Sequence, residues 1–322
     1  MTLVLECIEH FGVSNVMVVL HRHGLLAERC QDIEGLCVLK VSNQLQGHFS
    51  LPRSFALLHA HDARAVHFCW ISHLLCGKQY IITRRVQDPL KNKWLTRQTY
   101  GRAASIVSIS KCIQGHLKEH SFSSDVIPSA IYPTDVPVRC EKGLSQTINL
   151  LHLGALVDQH KGQSVAIKAL SKLPHHYRLT FVGDGPDYSH LRNLAHNLGL
   201  GERVDFLPWD DAYLRTFSAK IDLFIFPSNH EGLGSVLLDV MQHGIPIVAS
   251  DVGGIPDLIQ HEVTGLLAKA GDASSFAYQI SRLIHNVKLR KRVVEQARKR
   301  VRDYEPRVML KSYEAIYQRI IK

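Results

Sequence analysis

The stretch IDLFIFPSNHEGLGSVLLD, residues 221–239, joins an apolar run to a glycine-bearing turn and then to a second apolar run. Leu223 to Phe226 are consecutive large apolar residues, the pattern of a strand buried on both faces. Pro227-Ser228 closes that strand, and a helix is expected to begin near Gly234 or Ser235. A helix N-terminus presents unpaired N–H groups and a partial positive charge, which suit a phosphate or a sugar oxygen. Gly232 and Gly234 carry no Cβ, so a ligand can approach the backbone there. Glu231 stands just before this turn and Asp239 one turn inside the helix. Two readings are open on spacing alone. The acids could accept hydrogen bonds from sugar and ribose hydroxyls, or they could simply favour the helix N-terminal turn electrostatically.

The same strand–turn–helix unit recurs along the chain. VMVVL (16–20), FALLHAH (55–61), YIIT (80–83), IVSIS (106–110) and DVIPS (125–129) read as strands in the first part. INLLHLG, YRLTFVGDG, RVDFLP, DLFIFPS and IPIVAS do so in the second, with amphipathic helices between them. This rhythm predicts parallel sheets covered on both faces, in two doubly wound domains. The expected division is 1–142 and 143–305, with a C-terminal helix over 306–322 packing back on the first domain. The segment PTDVPVRCEKGLSQT (133–147) reads as the linker. Ligands bind beyond the C-terminal ends of such strands. Five strand ends are therefore of interest: HAHDAR, TRRVQD, LGALVDQHKG, VGDGPD and PSNHEGLG.

Composition is that of a globular protein, 45% hydrophobic and 21% charged over 322 residues, long enough for two cores. No run approaches the roughly 18 apolar residues of a membrane span, and the first residues carry two glutamates rather than a basic leader. The seven cysteines all precede residue 141 without a CxxC pair, which suits reduced thiols in the cytoplasm. The net charge of +9 is uneven: nine Lys/Arg lie between Lys78 and Lys118 against Asp88 alone, and KLRKRVVEQARKRVR spans 288–302. Such runs are either a solvated surface or a site for anionic partners such as the inner face of a membrane. Nucleic acid is not expected, since no helix-turn-helix, zinc-finger or aromatic RNA-binding motif accompanies the charge.

Taken in order, Pro227-Ser228, Glu231-Gly232-Leu233-Gly234, Asp239, His243-Gly244-Ile245-Pro246-Ile247-Val248-Ala249 and Gly253-Gly254 resemble the donor-site signature of family 4 retaining glycosyltransferases. These are enzymes of the GT-B fold, two Rossmann-like domains facing each other across a cleft. The resemblance is dense over about 148–322 and looser before. It implies that Asp239 binds the nucleotide ribose and Glu231 the transferred sugar. Backbone N–H groups of Gly232, Leu233, Gly234, Ser235 and Val236 would hold sugar oxygens and the diphosphate. Lys161 would neutralise the diphosphate, Leu207 and Pro208 would contact the base, and Gly183 and Gly185 would keep their strand end open. The implied co-substrate is a nucleotide diphosphate sugar, with no cofactor and no metal. The acceptor would be a glycan or lipid-linked glycan, by analogy one of a bacterial envelope such as lipopolysaccharide.

Three positions depart from the family pattern. Asp239 stands where the family usually has Glu, and Ala155 where an Arg often follows the first glycine, removing half of the cationic clamp unless Arg84 or Arg85 supplies it. Arg85 stands where many members carry a His after a Thr; a guanidinium suits charge stabilisation rather than proton abstraction. His59, His61, Asp62 and Arg64 form a polar strand-end cluster, from which Asp62 or His61 would touch donor or acceptor. A metal-binding reading of His-x-His-Asp lacks a third separated ligand. Family members open with a strand and a glycine-rich loop, whereas this chain opens on the helix LVLECIEHF; the central first strand is expected to be missing. A catalytically silent binding protein is therefore the second reading. Glycoside hydrolysis by Glu231 and Asp239 is disfavoured because Asp239 lies within a helix, and nucleotide-sugar epimerisation ranks equally low.

Overall fold

The computed structural model describes residues 2–21, 30, 32–41, 55–91, 93–131, 146–210 and 213–321. The chain divides into two units, Met1–Tyr132 with Tyr304–Lys322, and Pro133–Asp303. The first unit runs α1 (Thr2–Phe11), β1 (Met17–His21), β2 (Cys37–Val41), β3 (Leu57–Ala60), α2 (Ala63–Cys76) and β4 (Gln79–Arg84). It continues through α3 (Trp94–Gly101), β5 (Ser105–Ser108), α4 (Lys111–Glu119) and β6 (Asp125–Val126).

All strand pairs of this unit are parallel. β1 pairs with β2, from Met17 opposite Cys37 to His21 opposite Val41. β3, β4, β5 and β6 form a separate four-stranded sheet in sequence order. Among the described residues, no pairing joins the two sheets.

The second unit runs β7 (Ile148–Leu153), α5 (Asp158–Lys161), α6 (Gln163–Leu170), β8 (Tyr177–Val182), α7 (Tyr188–Asn197), β9 (Val204–Leu207), α8 (Tyr213–Phe217) and β10 (Leu223–Phe226). It then adds α9 (Val236–Gln242), β11 (Ile247–Ser250), α10 (Ile255–Leu258), β12 (Leu266–Ala268), α11 (Ala273–His285) and α12 (Val287–Arg300). Its six parallel strands take the order β12-β11-β10-β7-β8-β9. From β7 the chain first builds outward to β8 and β9, then returns to place β10 on β7's other edge. That reversal makes a switch point between β7 and β10, where loops diverge and leave room for a ligand. Leu150, Leu179, Phe181, Ile225 and Val248 of the strands are packed with Ile167, Phe276, Ile280 and Leu283 of the helices, all fully buried. Continuous apolar strands and one apolar stripe per helix give this layered core.

The last helix, α13 (Pro306–Ile321), belongs to the first unit. Its Met309, Leu310, Tyr313 and Ile316 share one core with Leu3 and Cys7 of α1, Ile81 of β4 and Val107 of β5. The return to the first unit occurs at Tyr304, two residues earlier than the spacing suggests. Tyr304 is buried and its carbonyl accepts a 3.0 Å hydrogen bond from the Ile131 N–H. Most of the expected linker, residues 133–145, lies outside the described residues, as does Cys140. The six described cysteines form no disulfide. Among the described residues, no helix is long and apolar enough to cross a membrane.

Candidate functional site

The two loops at the switch point of the second unit are joined by charge and by backbone. After β7 the chain turns through Gly154 and enters the single-turn helix α5, which ends at Lys161. After β10 it turns through Pro227 to Glu231. Lys161 Nζ donates to Glu231 Oε2 at 2.6 Å, with side chains only 26% and 16% exposed. The ammonium also lies 5.6 Å from the centre of the Phe226 ring, close enough for a cation–π contact. The His160 carbonyl accepts from the N–H groups of Asn229, at 2.9 Å, and His230, at 3.2 Å. The Asn229 side chain donates to the Gln159 carbonyl at 3.2 Å. These bonds hold the cation and the carboxylate in register.

Gly162 permits that approach. It sits at φ +64, and a Cβ there would lie 2.1 Å from the Pro227 carbonyl oxygen. No side chain fits between the two loops.

Gly234 has φ +81 and turns the chain into α9, which starts at Val236 with Ser235 at its N-cap. The Leu237 and Leu238 N–H groups bond to the Gly234 and Ser235 carbonyls at 2.8 and 3.0 Å. The earlier N–H groups of the loop, from Gly232 through Leu233 to Val236, belong to the segment between Glu231 and the helix. Asp239 lies in the first turn of α9. Its side chain reaches solvent, yet crowding by surrounding protein pushes its pKa up to about 6.

Gly183 and Gly185 have a role that spacing does not reveal. A Cβ on Gly183 would meet the Gly154 carbonyl oxygen at 2.1 Å, and one on Gly185 the Leu156 carbonyl oxygen at 2.4 Å. The room they leave is thus filled by the chain's own loop after β7. Leu207, at the end of β9, accepts from the Gly183 N–H at 3.0 Å and exposes 39% of its surface, with Pro208 next to it also exposed. Asp184 then accepts from the Trp209 N–H at 3.2 Å.

Beneath this site lies a buried polar pair that sequence reasoning missed. His152 of β7 is fully buried, stacked between Phe224 and Phe226 with Phe181 edge-on. Burial drives its pKa down to about 4, a Lys161 charge adds to that shift, and a hydrogen bond to the Ile225 carbonyl opposes it. The neutral ring therefore donates from Nδ1 to Ile225 O at 3.1 Å. Its Nε2 faces Gln163, whose amide donates to the Ala155 carbonyl at 2.8 Å. Ala155, which carries no charge, is thereby fixed by its backbone.

In the first unit the residues of interest at the strand ends are largely committed to structure. Asp62 caps α2 by accepting from the Ala65 N–H at 2.9 Å, worth about 1 kcal/mol. Arg84 donates to the Tyr100 hydroxyl at 3.1 Å and to the Asp88 carbonyl. Arg85 is exposed and donates to Ser129 Oγ at 3.1 Å. Arg64 is exposed on the first turn of α2. His59 has both ring nitrogens engaged, Nδ1 with the Tyr317 hydroxyl at 2.8 Å and Nε2 with Thr83 Oγ1 at 2.7 Å. Thr83 Oγ1 also meets the Tyr313 hydroxyl at 2.9 Å. His61 lies against His59, ring centroids 4.1 Å apart. Burial, with Arg85 adding repulsion, holds the His61 pKa down to about 3 and drives that of His59 well down too. Both rings are neutral at pH 7. Among the described residues, no group of three or more His, Cys, Asp or Glu is placed to hold a metal ion.

The comparisons with known proteins fall mainly on the second unit. Residues 143–300 match the family model of glycosyl transferases group 1, so this unit resembles such a domain along nearly its whole length. An N-acetyl-alpha-D-glucosaminyl L-malate synthase of Bacillus anthracis is 32% identical over 186 residues, 56% of this chain and 48% of that one. The lipopolysaccharide core biosynthesis glycosyltransferase LpsE of Rhizobium meliloti is 34% identical over 164 residues, 51% of this chain and 44% of that one. The chain spans about half the length of these curated relatives. The crystal structure of Anabaena Alr3699/HepE in complex with UDP and glucose superposes with a TM-score of 0.85 at 18% identity, covering 98% of this chain and 95% of that one. The α/β fold with parallel sheets is thus that of GT-B glycosyltransferase structures.

Proposed function

We propose that the chain is a retaining glycosyltransferase of the family 4 type. It moves a sugar, a hexose or a related one, from a nucleotide diphosphate sugar to a hydroxyl of a glycan or lipid-linked glycan. The observation that carries this reading is the Lys161–Glu231 pair at the β7/β10 switch point, one cation and one carboxylate side by side next to Asp239. A cation suits a diphosphate, and carboxylates suit sugar and ribose hydroxyls. The match to glycosyl transferases group 1 supports it, as do neighbours of the same fold whose crystals hold UDP, UDP with glucose, or UDP-glucose.

In the proposed reaction the bond between the sugar's anomeric carbon and the diphosphate oxygen breaks. The acceptor oxygen attacks on the same face, and its proton passes to the departing phosphate. Lys161 and the loop N–H groups take up the negative charge, so no metal and no cofactor is required. Arg85 adds charge stabilisation from the first unit. An envelope polysaccharide or lipopolysaccharide acceptor fits the relatives named for such synthesis, and work at the inner face of a membrane fits the basic run Lys78–Lys118.

Donor hydrolysis and transfer with Glu231→Ala and Lys161→Ala test the proposal. Both variants should lose at least about tenfold in turnover; unchanged turnover in both would sink this assignment of the site. A second reading, a catalytically silent nucleotide-sugar binder, is favoured by the uncharged Ala155 in the loop after β7. Calorimetric binding without turnover across UDP-, GDP- and ADP-sugars would select it.

A further inference from the structure

The two charges proposed to take the donor are bonded to each other in the ligand-free chain, at 2.6 Å. The contact is enforced by the fold, because His160 O ties the backbone of Asn229 and His230 to the residue before Lys161. Lys161 can swing on four side-chain torsions, whereas Glu231 sits on a loop that this backbone pairing fixes. A diphosphate that draws Lys161 away therefore leaves a partly buried carboxylate facing new negative charge. That costs free energy unless hydroxyl donors replace the ammonium.

We infer that the Lys161–Glu231 ion pair is a selectivity gate that favours the complete nucleotide sugar over the bare nucleoside diphosphate. This inference rests on the donor-site reading above. A nucleotide sugar offers the diphosphate to Lys161 and sugar hydroxyls to Glu231 at the same moment. A nucleoside diphosphate offers only the first and leaves Glu231 uncompensated. After transfer the sugar is gone, Glu231 reclaims the ammonium, and the nucleoside diphosphate is released. The carboxylate thus limits product inhibition in addition to holding the sugar.

The test measures binding of UDP, GDP and ADP, and of the matching nucleotide glucose compounds, to the full chain by calorimetry. Wild type, Glu231→Gln and Lys161→Met are compared. Glu231→Gln should bind the bare nucleoside diphosphate about tenfold more tightly than wild type, the scale of one partly buried charge pair. The same variant should bind the nucleotide sugar more weakly, and Lys161→Met should weaken both. A Glu231→Asp variant, which keeps the charge, should keep the preference, and circular dichroism identifies any variant that fails to fold. If wild type binds and Glu231→Gln gains no affinity for the bare diphosphate, the gate is overturned while the donor site stands. If wild type binds no nucleotide of either kind, the donor-site reading falls and the gate with it.

Discussion

Replacing Gly162 by alanine tests how closely the two loops of the site depend on each other. The new Cβ meets two obstacles. Its φ of +64 is left-handed, which costs a residue with a side chain about 1–2 kcal/mol. It also falls 2.1 Å from the Pro227 carbonyl oxygen, where real contacts stay beyond 3.0 Å. One loop must then retreat by about 1 Å, stretching the bonds from Asn229 and His230 to His160 O, each worth about 1 kcal/mol. The sum is about 3–4 kcal/mol. Gly199 is the control: it has φ +70 in the same unit, yet a Cβ there meets nothing within 4 Å. Gly199→Ala should cost only the backbone part, about 1 kcal/mol. Urea unfolding of the second unit, followed by circular dichroism, reads both. Gly162→Ala should also lose donor affinity, since Lys161 and Glu231 no longer meet. If the two variants fall within about 0.5 kcal/mol of each other, the loops are not held as described.

Other expectations concern charge and hydrogen bonding. Asp239 has its pKa raised to about 6 by burial, so the folded chain binds that proton more tightly than the unfolded one. Its contribution to stability is present below the ordinary carboxylate range near pH 4 and is lost as pH rises through about 6. Ribose binding needs the ionised form, so donor affinity should fall about tenfold between pH 7 and 5, and Asp239→Asn should flatten that profile; a wild-type profile already flat would remove Asp239 from the ribose. Tyr317→Phe strips the partner from His59 Nδ1 and should destabilise the first unit by about 1–2 kcal/mol, read in urea; no loss would mean that the bond contributes nothing. Vesicles rich in phosphatidylglycerol should sediment the chain at low salt and release it at 0.5 M sodium chloride, whereas salt-insensitive binding would deny the basic run its part.

The strand at 223–226 and the helix after Gly234 were legible because they obey local rules: an apolar run, a Pro-Ser stop, a glycine where φ turns positive. The division into two α/β units was legible for the same reason, from repeated short periods. Roles set by residues far apart in the chain were not. Gly183 and Gly185 looked like space for a ligand, but the atoms occupying that space belong to residues 154–156. His59 looked like one member of a polar strand end; its partners Thr83 and Tyr317 lie 24 and 258 residues away. His152 was passed over inside an apolar strand, where nothing in the local pattern reveals its hydrogen bonds to Ile225 O and Gln163. The arrangement of the first unit's strands as two sheets likewise depends on pairing, which no single segment encodes.

The place of α13 bears on how the chain is made. The core of the first unit needs Met309, Leu310, Tyr313 and Ile316, which leave the ribosome after the whole of the second unit. At ~5–20 residues per second, the gap between residue 132 and the end of α13 takes roughly 10–40 s to synthesise. During that time Leu3, Cys7, Ile81 and Val107 lack the helix that covers them, while the second unit already holds every strand of its own sheet. The usual order of maturation is reversed: the domain begun second is completed first. Premature termination shortly before Pro306 would leave a folded donor-side unit attached to an uncovered apolar face, a product for proteases and chaperones rather than a smaller working protein.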